Sequence, residues 1–160
     1  MAKEIEKKFL VDKDKLPELN NGKHYIQGYL STNPHIRFRV INDIVIITIK
    51  SFKENKSVRN EWEFKNKMSK TEISELLKLS VSKPIEKSRY EVGYEKLIWE
   101  IDVYQGMNEG LITVDVELED IIQEINFPIW ARKDMDITND PKYFNVNLGN
   151  NPYSKWNNKQ

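Results

Sequence analysis

The feature that most constrains the fold is an alternation of charged and apolar residues that begins at Glu4 and runs to Val11. Successive side chains of a β-strand point to opposite faces of the sheet. One face of this strand would carry three charged side chains, namely Glu4, Glu6 and Lys8. The other face would be apolar apart from Lys7, with Ile5, Phe9 and Val11. An antiparallel sheet often keeps one face in water, so the meaning of the charged face depends on the other strands.

Seven further segments have strand composition and are bounded by turn residues. They are residues 25–31, 36–41, 44–51, 58–65, 85–92, 97–104 and 111–119. Eight strands predict a mainly β (α+β) chain, folded as an antiparallel barrel or a large sandwich. Residues 1–149 would form one domain, followed by a polar and loose tail at 150–160. We also expect a lysine-bearing loop at 52–57 and an irregular apolar stretch at 127–130 that packs on the outside of the sheet.

Three helices and one separate helical turn are also predicted. Ser69 and Glu72 form a capping-box sequence that opens a helix before Pro84. Asp140-Pro141 has the composition of a helix start, and Gly149 stands where that helix would end. A short helix at 120–125 is expected from its isoleucines, and one helical turn is expected within 12–21.

Two hairpins predict which residues face each other. A two-residue turn at Asn42-Asp43 places three pairs on one face: Arg39 with Ile46, Arg37 with Thr48, and His35 with Lys50. A turn centred on Tyr94-Glu95 would place Arg89 opposite Glu100 and Lys87 opposite Asp102. Opposite charges across a strand pair are favourable, which supports the second register.

Composition excludes several classes of function. The chain of 160 residues has a formal net charge of zero, so bulk charge indicates neither a nucleic-acid nor a membrane partner. It contains no cysteine, which excludes disulfides, thiolate metal sites and a cysteine nucleophile. No segment is apolar enough to span a bilayer, and the expectation is a cytoplasmic protein, either a monomer or a homodimer.

The charged strand faces differ from an ordinary wet surface because their signs come in like pairs. Six such pairs occur at i and i+2: Glu4/Glu6, Arg37/Arg39, Glu61/Glu63, Lys87/Arg89, Glu100/Asp102 and Asp115/Glu117. Two like charges about 4 Å apart repel by roughly 4 kcal/mol at an effective dielectric constant of about 20. Such an arrangement is favourable only if ions of opposite charge lie among the side chains.

The two kinds of pair predict two kinds of ligand. Carboxylate oxygens favour hard cations such as Mg²⁺, Mn²⁺ or Ca²⁺. Arginine and lysine pairs favour an anion with many oxygens, such as a polyphosphate. A closed barrel with this face inward would bind both. The alternative for Glu100 and Asp102 is a structural role as counter-charges to Lys87 and Arg89.

These motifs together resemble the CYTH superfamily, the triphosphate tunnel metalloenzymes, from Glu4 to about Leu148. The motifs that carry the resemblance are E-x-E-x-K at Glu4, Q-G-Y-L-S at Gln27, R-x-R at Arg37, T-x-K at Thr48, E-x-E at Glu61, K-x-R at Lys87, W-E-x-D at Trp99 and D-V-E-L at Asp115. The closing segment from Asp136 to Asn145 is most similar to the inorganic triphosphatase branch. Asp115 departs from the family pattern, which has a longer Glu.

The resemblance implies an eight-stranded antiparallel β-barrel tunnel with a few peripheral helices, a C-terminal closing helix, and Mg²⁺ or Mn²⁺ as cofactor. The implied phosphate-binding residues are Lys8, Arg37, Arg39, Lys50, Lys87 and Arg89. The implied metal ligands are Glu4, Glu6, Glu61, Glu63, Asp115 and Glu117. Glu4, Glu6 and Lys87 are the expected catalytic residues. Tyr29, Glu100, Asp102 and Tyr143 would close or support the tunnel.

The reaction implied is metal-assisted hydrolysis of a phosphoanhydride in inorganic tripolyphosphate or another small triphosphate. Within the same site, a class IV-like adenylate cyclase or a thiamine triphosphatase is an alternative. A polyphosphate- or nucleotide-binding module without turnover is the alternative from a different class. The sequence does not choose among the possible triphosphates or between the two metals.

Overall fold

The computed structural model describes residues 2–51, 58–157 and 159, and these ranges contain nine strands. The strands are β1 (Ala2–Val11), β2 (Lys23–Thr32), β3 (His35–Ile41), β4 (Ile44–Lys50), β5 (Val58–Lys67), β6 (Ile85–Tyr94), β7 (Leu97–Tyr104), β8 (Ile112–Glu117) and β9 (Ala131–Asp136). The helices are α1 (Lys70–Lys78) and α2 (Asn145–Leu148), with 3₁₀ turns at Lys13–Lys15, Gly106–Asn108, Pro141–Tyr143 and Tyr153–Lys155. The predicted loop at 52–57 lies outside the described residues.

Eight strands close into an antiparallel barrel, in the order β1-β5-β4-β3-β2-β6-β7-β8 and back to β1. The first strand completes the ring, because residues 2–5 pair with β5 and residues 6–10 pair with β8. The predicted eight-stranded antiparallel barrel is therefore confirmed. Within the described ranges, no helix combines the length and the apolar character that a membrane crossing requires.

The ninth strand is not predicted by the sequence pattern, because Ala131–Asp136 is mostly charged and lacks apolar alternation. Phe9 of β1 pairs with Val114 of β8 and also with Asp136 of β9. The strands β8 and β9 therefore lie on opposite edges of β1. β9 thus pairs with the edge of β1 that β5 occupies only as far as Ile5. It extends the sheet beside the closed ring and adds no strand to the ring itself.

The first predicted hairpin register is confirmed. Asn42 adopts a positive φ of 56°, as a tight two-residue turn requires. The pairs Arg39–Ile46, Arg37–Thr48 and His35–Lys50 are all present.

The second register is wrong by two residues. The turn residues are Glu95 and Lys96, both with positive φ, so that Tyr94 pairs with Leu97. Arg89 consequently lies opposite Asp102, and Lys87 lies opposite Tyr104. A shift of two residues preserves the face of every side chain, and only the partners change.

Apolar clusters cover the outside of the barrel, and this covering turns the charged faces inward. On one side, Phe9, Trp99 and Val114 pack beneath Phe127 and Trp130, as predicted for the irregular stretch at 127–130. On another side, α1 covers β3 and β4. This helix begins with the predicted capping box, in which the Ser69 and Glu72 side chains each bind the other's backbone.

The segment at 120–125 does not form the predicted helix. The backbone there makes a turn, in which the amide of Gln123 donates to the carbonyl of Asp120. The chain then continues without regular structure to residue 128. Its isoleucines do not form a buried helical face, since Ile121 and Ile122 are exposed.

The end of the chain also differs from expectation. The predicted closing helix is divided at Phe144, whose ψ of 131° separates the 3₁₀ turn Pro141–Tyr143 from α2. Residues 150–157, predicted to be loose, pack against the barrel instead. Tyr153 and Trp156 are buried in a cluster with Tyr143 and Leu148. These two aromatic residues provide the buried area that an otherwise polar segment needs to remain ordered.

We expect Gly149→Ala to lower the melting temperature. Gly149 has an ordinary φ of −67°, but an added Cβ would lie 2.2 Å from the backbone oxygen of Lys83. Because backbone cannot move aside cheaply, the cost should be about 1–3 kcal/mol. Gly93→Ala is the matched control, since its Cβ would meet nothing closer than 3.9 Å. Equal melting temperatures for both variants would contradict this interpretation.

Candidate active site

The inward strand faces enclose a cavity of about 300 Å³. Among the residues that the structure describes, seven carboxylates and six cationic side chains line it. The carboxylates are Glu4, Glu6, Glu61, Glu63, Glu100, Asp115 and Glu117. The cations are Lys8, Arg37, Arg39, Lys50, Arg59 and Arg89. The structure therefore brings all of the sequence-predicted phosphate and metal residues to one cavity, except Lys87.

Two arginines of β3 face the cavity without a carboxylate partner in the described part of the chain. Arg39 donates from Nε and a terminal nitrogen to Oε1 of Gln27, at 3.2 and 3.1 Å. Arg37 donates to Oγ1 of Thr48 at 3.2 Å, and its buried Nε has no hydrogen-bond partner among the described residues. Neither forms an ion pair within the described ranges. Both guanidinium groups are thus held by neutral side chains and keep their full charge for a ligand.

The electrostatics of Arg39 show how concentrated this positive charge is. Burial, together with the neighbouring Arg37 and Arg89, lowers the pKa of Arg39 to about 10. Burial and like charges both disfavour the charged form of a guanidinium. An anion in the cavity would relieve this repulsion, and it would bind where the field is strongest.

Carboxylates dominate the opposite wall, on β1, β5 and β8. Glu6 of β1 lies directly opposite Glu117 of β8 in the strand pairing. Partial desolvation at the cavity wall raises the pKa of Glu117, and four neighbouring carboxylates raise it further: Glu4, Glu6, Glu100 and Glu61. Like charges gathered in this way favour either a proton or a cation between them.

Several of the other predicted ligands are already engaged in ion pairs. Lys50 Nζ lies 2.8 Å from Glu4 and 3.5 Å from Glu61. Lys8 Nζ lies 3.2 Å from Asp115, and a terminal nitrogen of Arg89 donates to the same carboxylate at 3.1 Å. A metal ion that used Glu4, Glu61 or Asp115 would have to compete with these cations.

Lys87 is not at the cavity wall, contrary to its predicted contact with substrate. Its side chain is completely buried, and Nζ donates to Oδ2 of Asp102 at 2.6 Å. Burial lowers the pKa of Lys87 to about 7 against the opposing effect of Asp102, with Arg89, Arg39 and Lys8 adding to the decrease. A direct contact between Lys87 and a phosphate would require this ion pair to open.

Asp102, which was predicted to support the tunnel, lies behind the cavity wall. It accepts from Arg89 Nε at 2.7 Å and from Lys87 at 2.6 Å, and it is completely buried. Glu100 accepts from Arg89 at 2.9 Å and reaches the cavity. Both carboxylates thus serve as counter-charges to Arg89, and of the two only Glu100 lines the cavity.

An apolar layer closes one end of the barrel beneath these charges. Its inward-facing members are Leu10, Ile85, Tyr104 and Leu111, which are all buried. The closing segment (residues 141–148) covers this layer and also contributes Tyr143, Phe144, Asn145 and Val146 to the cavity wall. Tyr104 donates from its hydroxyl to Oδ1 of Asn145 at 2.6 Å. Tyr29 and Tyr143, which were expected to close or support the tunnel, both line the cavity.

The donor chemistry suits a hard divalent cation, but the ligand geometry is not preformed. Within the described residues, no three His, Asp or Glu side chains are gathered so that they could hold a metal ion. The residues that fit best are Glu6, Glu63 and Glu117, because they line the cavity and form no ion pair in the described ranges. All-oxygen donors of this kind select Mg²⁺, Mn²⁺ or Ca²⁺ rather than zinc.

Sequence reasoning missed several residues that line the cavity or orient its side chains. Gln27 is 1% exposed and donates to the Tyr29 hydroxyl at 3.0 Å while it orients Arg39. Side chains alternate between the two faces of β2, so Tyr25, Gln27 and Tyr29 share a face. This alternation could have predicted that Gln27 points inward. Arg59 could have been found in the same way, since it shares a face with Glu61. Thr138 and Asn145 follow the last strand, where alternation gives no information.

Comparison with known proteins supports the interpretation of this geometry. The CYTH domain family matches residues 2–149. The chain belongs to the CYTH domain family. It is 38% identical over 159 residues to the inorganic triphosphatase of Acetivibrio thermocellus, covering 98% of this chain and 99% of that protein. The resemblance stated from the sequence motifs is therefore confirmed.

Solved structures support the same fold. An inorganic triphosphatase structure is 30% identical, has a TM-score of 0.64, and covers 93% of this chain and 95% of its own. A protein from Pyrococcus horikoshii has a TM-score of 0.53 at 20% identity, covers 74% of this chain and 79% of its own, and supports the fold alone. Membership of this metalloenzyme family implies dependence on a divalent metal ion.

We expect Glu117→Gln to raise the melting temperature of the metal-free protein at pH 7. The pKa of Glu117 is raised above its ordinary value of 4.5, so its ionised form destabilises the folded state. This penalty is present above the raised pKa and is lost as the pH falls towards the ordinary value. The gain should therefore shrink on acidification and vanish below about pH 4.5.

Thermal unfolding with a chelator, between pH 4 and pH 8, measures this effect. Glu119→Gln is the control, because it removes the same charge two residues along the chain from a position that does not line the cavity. A Glu117→Gln variant that is less stable than the wild type at pH 7 would show that the carboxylate cluster does not repel itself.

Proposed function

We propose that this protein is a divalent-metal-dependent triphosphatase whose substrate is inorganic tripolyphosphate. The observation that carries this proposal is the pair Arg37 and Arg39, which face a wall of carboxylates across the cavity and, within the described residues, have only neutral hydrogen-bond partners. A metal–polyphosphate complex carries negative oxygens and a cation together, so it complements both walls. The inorganic triphosphatases among the similar proteins support the same substrate.

Phosphate oxygens would bind to the basic side chains of the cavity. Arg37 and Arg39 would contribute planar donors that suit phosphate oxygens in bidentate geometry. Lys8, Lys50 and Arg89 would add charge if their carboxylate partners turned to the metal instead. In this arrangement the ion pairs Lys50–Glu4 and Lys8–Asp115 would open. The lysines would then bind phosphate oxygens, and the carboxylates would bind the cation.

Glu6, Glu63 and Glu117 would hold the metal, with Glu4, Glu61 and Asp115 as further candidate ligands. When bound, a divalent ion supplies charge neutralisation at the phosphate oxygens and lowers the pKa of an attacking water. The protein's own part is to position the chain of phosphates and to stabilise the charge that develops on the leaving oxygen. Arg37, Arg39 and Arg89 would serve that purpose.

The reaction is hydrolysis of a terminal phosphoanhydride. Water attacks the terminal phosphorus, the bond to the bridging oxygen breaks, and orthophosphate and pyrophosphate form. Lys87 would act from behind the cavity wall, through the position of Asp102 and Arg89. We further propose Mg²⁺ or Mn²⁺ as the metal, a cytoplasmic location and no nucleic-acid partner.

Phosphate release from tripolyphosphate, ATP and thiamine triphosphate, each with Mg²⁺ and with Mn²⁺, tests the proposal. We expect tripolyphosphate to be hydrolysed fastest and a chelator to abolish hydrolysis. Arg39→Met should lower kcat/KM roughly 10- to 100-fold, because a charge-assisted contact with phosphate contributes about 1.5–3 kcal/mol. Arg132→Met is the matched control, since Arg132 lies on β9 and pairs with Asp134 outside the cavity.

Different products would identify the alternatives. Cyclic AMP and pyrophosphate from ATP would indicate an adenylate cyclase, in which the ribose hydroxyl replaces water. Stabilisation by tripolyphosphate without phosphate release under either metal would indicate a binding module. Full activity of Arg39→Met would contradict the assignment of the basic wall.

A further inference from the structure

We propose that Trp156 is a positioning residue of the triphosphate site, which acts by fixing the closing segment against the end of the barrel. The inference rests on the proposed function and deepens it, because it concerns how one wall of that cavity is held. Trp156 does not line the cavity itself. Its influence would therefore pass through residues that do.

The closing segment contributes four consecutive residues to the cavity wall, from Tyr143 to Val146. It consists of a three-residue 3₁₀ turn and a four-residue helix, separated by the extended residue Phe144. Helices of this length do not persist by themselves, because nucleation costs more than so few hydrogen bonds return. The position of this wall must therefore be determined by tertiary contacts.

Trp156 supplies contacts of this kind on the side away from the cavity. Its ring meets the ring of Tyr143 edge-on, at 5.1 Å between centroids and 86° between planes. The ammonium of Lys142 lies 4.0 Å from the centre of the indole. Two consecutive residues of the closing segment thus rest on one side chain, which is only 7% exposed. Edge-on aromatic pairs and cation–π contacts are both favourable.

The indole is itself anchored on both sides. Its Nε1 donates to the carbonyl of Asn151 at 3.0 Å, and its ring packs on Tyr153 at 5.1 Å. The amide of Tyr153 donates to Oδ1 of Asn108 at 2.8 Å. These contacts connect Trp156 to the turn between β7 and β8, so the support is fixed relative to the barrel.

Trp156 lies beyond the matched family domain. The family match ends at residue 149, whereas the supporting contacts come from residues 151–156. The support is therefore contributed by a segment of this chain that follows the matched domain.

Trp156→Ala should raise the KM for tripolyphosphate about tenfold, since an edge-on pair and a cation–π contact are lost together. The kcat should change less than about threefold, because a displaced wall weakens ground-state and transition-state binding alike. Trp62→Ala is the matched control, because Trp62 is 38% exposed and does not line the cavity. Trp156→Phe keeps an aromatic ring and should stay within about threefold of the wild-type KM.

Hydrogen exchange provides a readout that does not depend on turnover. The amides of residues 143–148 should exchange faster in Trp156→Ala but not in Trp62→Ala. If Trp156→Ala does not fold, Trp156→Leu, which keeps part of the apolar volume without an aromatic ring, is measured in its place. A wild-type KM with unchanged exchange in the Ala or Leu variant overturns the inference, as does a loss of stability with no change in KM.

Failure of the proposed function would be visible separately. If the wild-type protein released no phosphate from tripolyphosphate, the proposed function would be wrong. The dissociation constant for tripolyphosphate, measured by calorimetry in the presence of Mg²⁺, then replaces KM. A weaker dissociation constant in Trp156→Ala together with faster exchange supports the positioning role, and unchanged values overturn it.

Discussion

The structure depends on the neutralisation of charge inside a closed barrel. Charged side chains that leave water need partners, because the cost of desolvation otherwise exceeds what packing returns. The base of the cavity meets this requirement through Asp102, which binds both Lys87 and Arg89 while completely buried. Nearer the middle of the cavity the requirement is met only in part, since Arg37 and Arg39 rely on neutral partners. The site thus lies where the protein's own carboxylates no longer neutralise its cations, so that a charged ligand can complete the neutralisation.

Much of this arrangement could be predicted from the sequence, because alternation and turn chemistry are local. The Asn42-Asp43 turn determines the β3–β4 register, and the like-charge pairs determine which faces cannot be left in water. Together these features placed Arg37, Arg39, Glu6 and Glu117 around one axis. The two-residue error at β6–β7 had little effect, since an even shift leaves each side chain on its face.

The rest could not be predicted, because it depends on tertiary contacts rather than on local pattern. Ala131–Asp136 becomes a strand because β1 offers a free edge beyond Ile5, and its own composition gives no such signal. The segment after Gly149 has polar composition, yet two aromatic side chains hold it in place. Likewise, the burial of Lys87 behind the cavity wall follows from the pairing of β6 with β7 and from the apolar layer beneath it.

The way β1 closes the barrel has a consequence for how the chain acquires its shape during synthesis. This strand leaves the ribosome before its partners, since it pairs with residues 58–61 on one edge and with residues 113–117 on the other. Contacts so distant in sequence form slowly, because a long loop must close before any of them is gained. Until both loops have closed, the two edges of this strand remain unpaired, and Glu4, Glu6 and Lys8 lie on one of its faces.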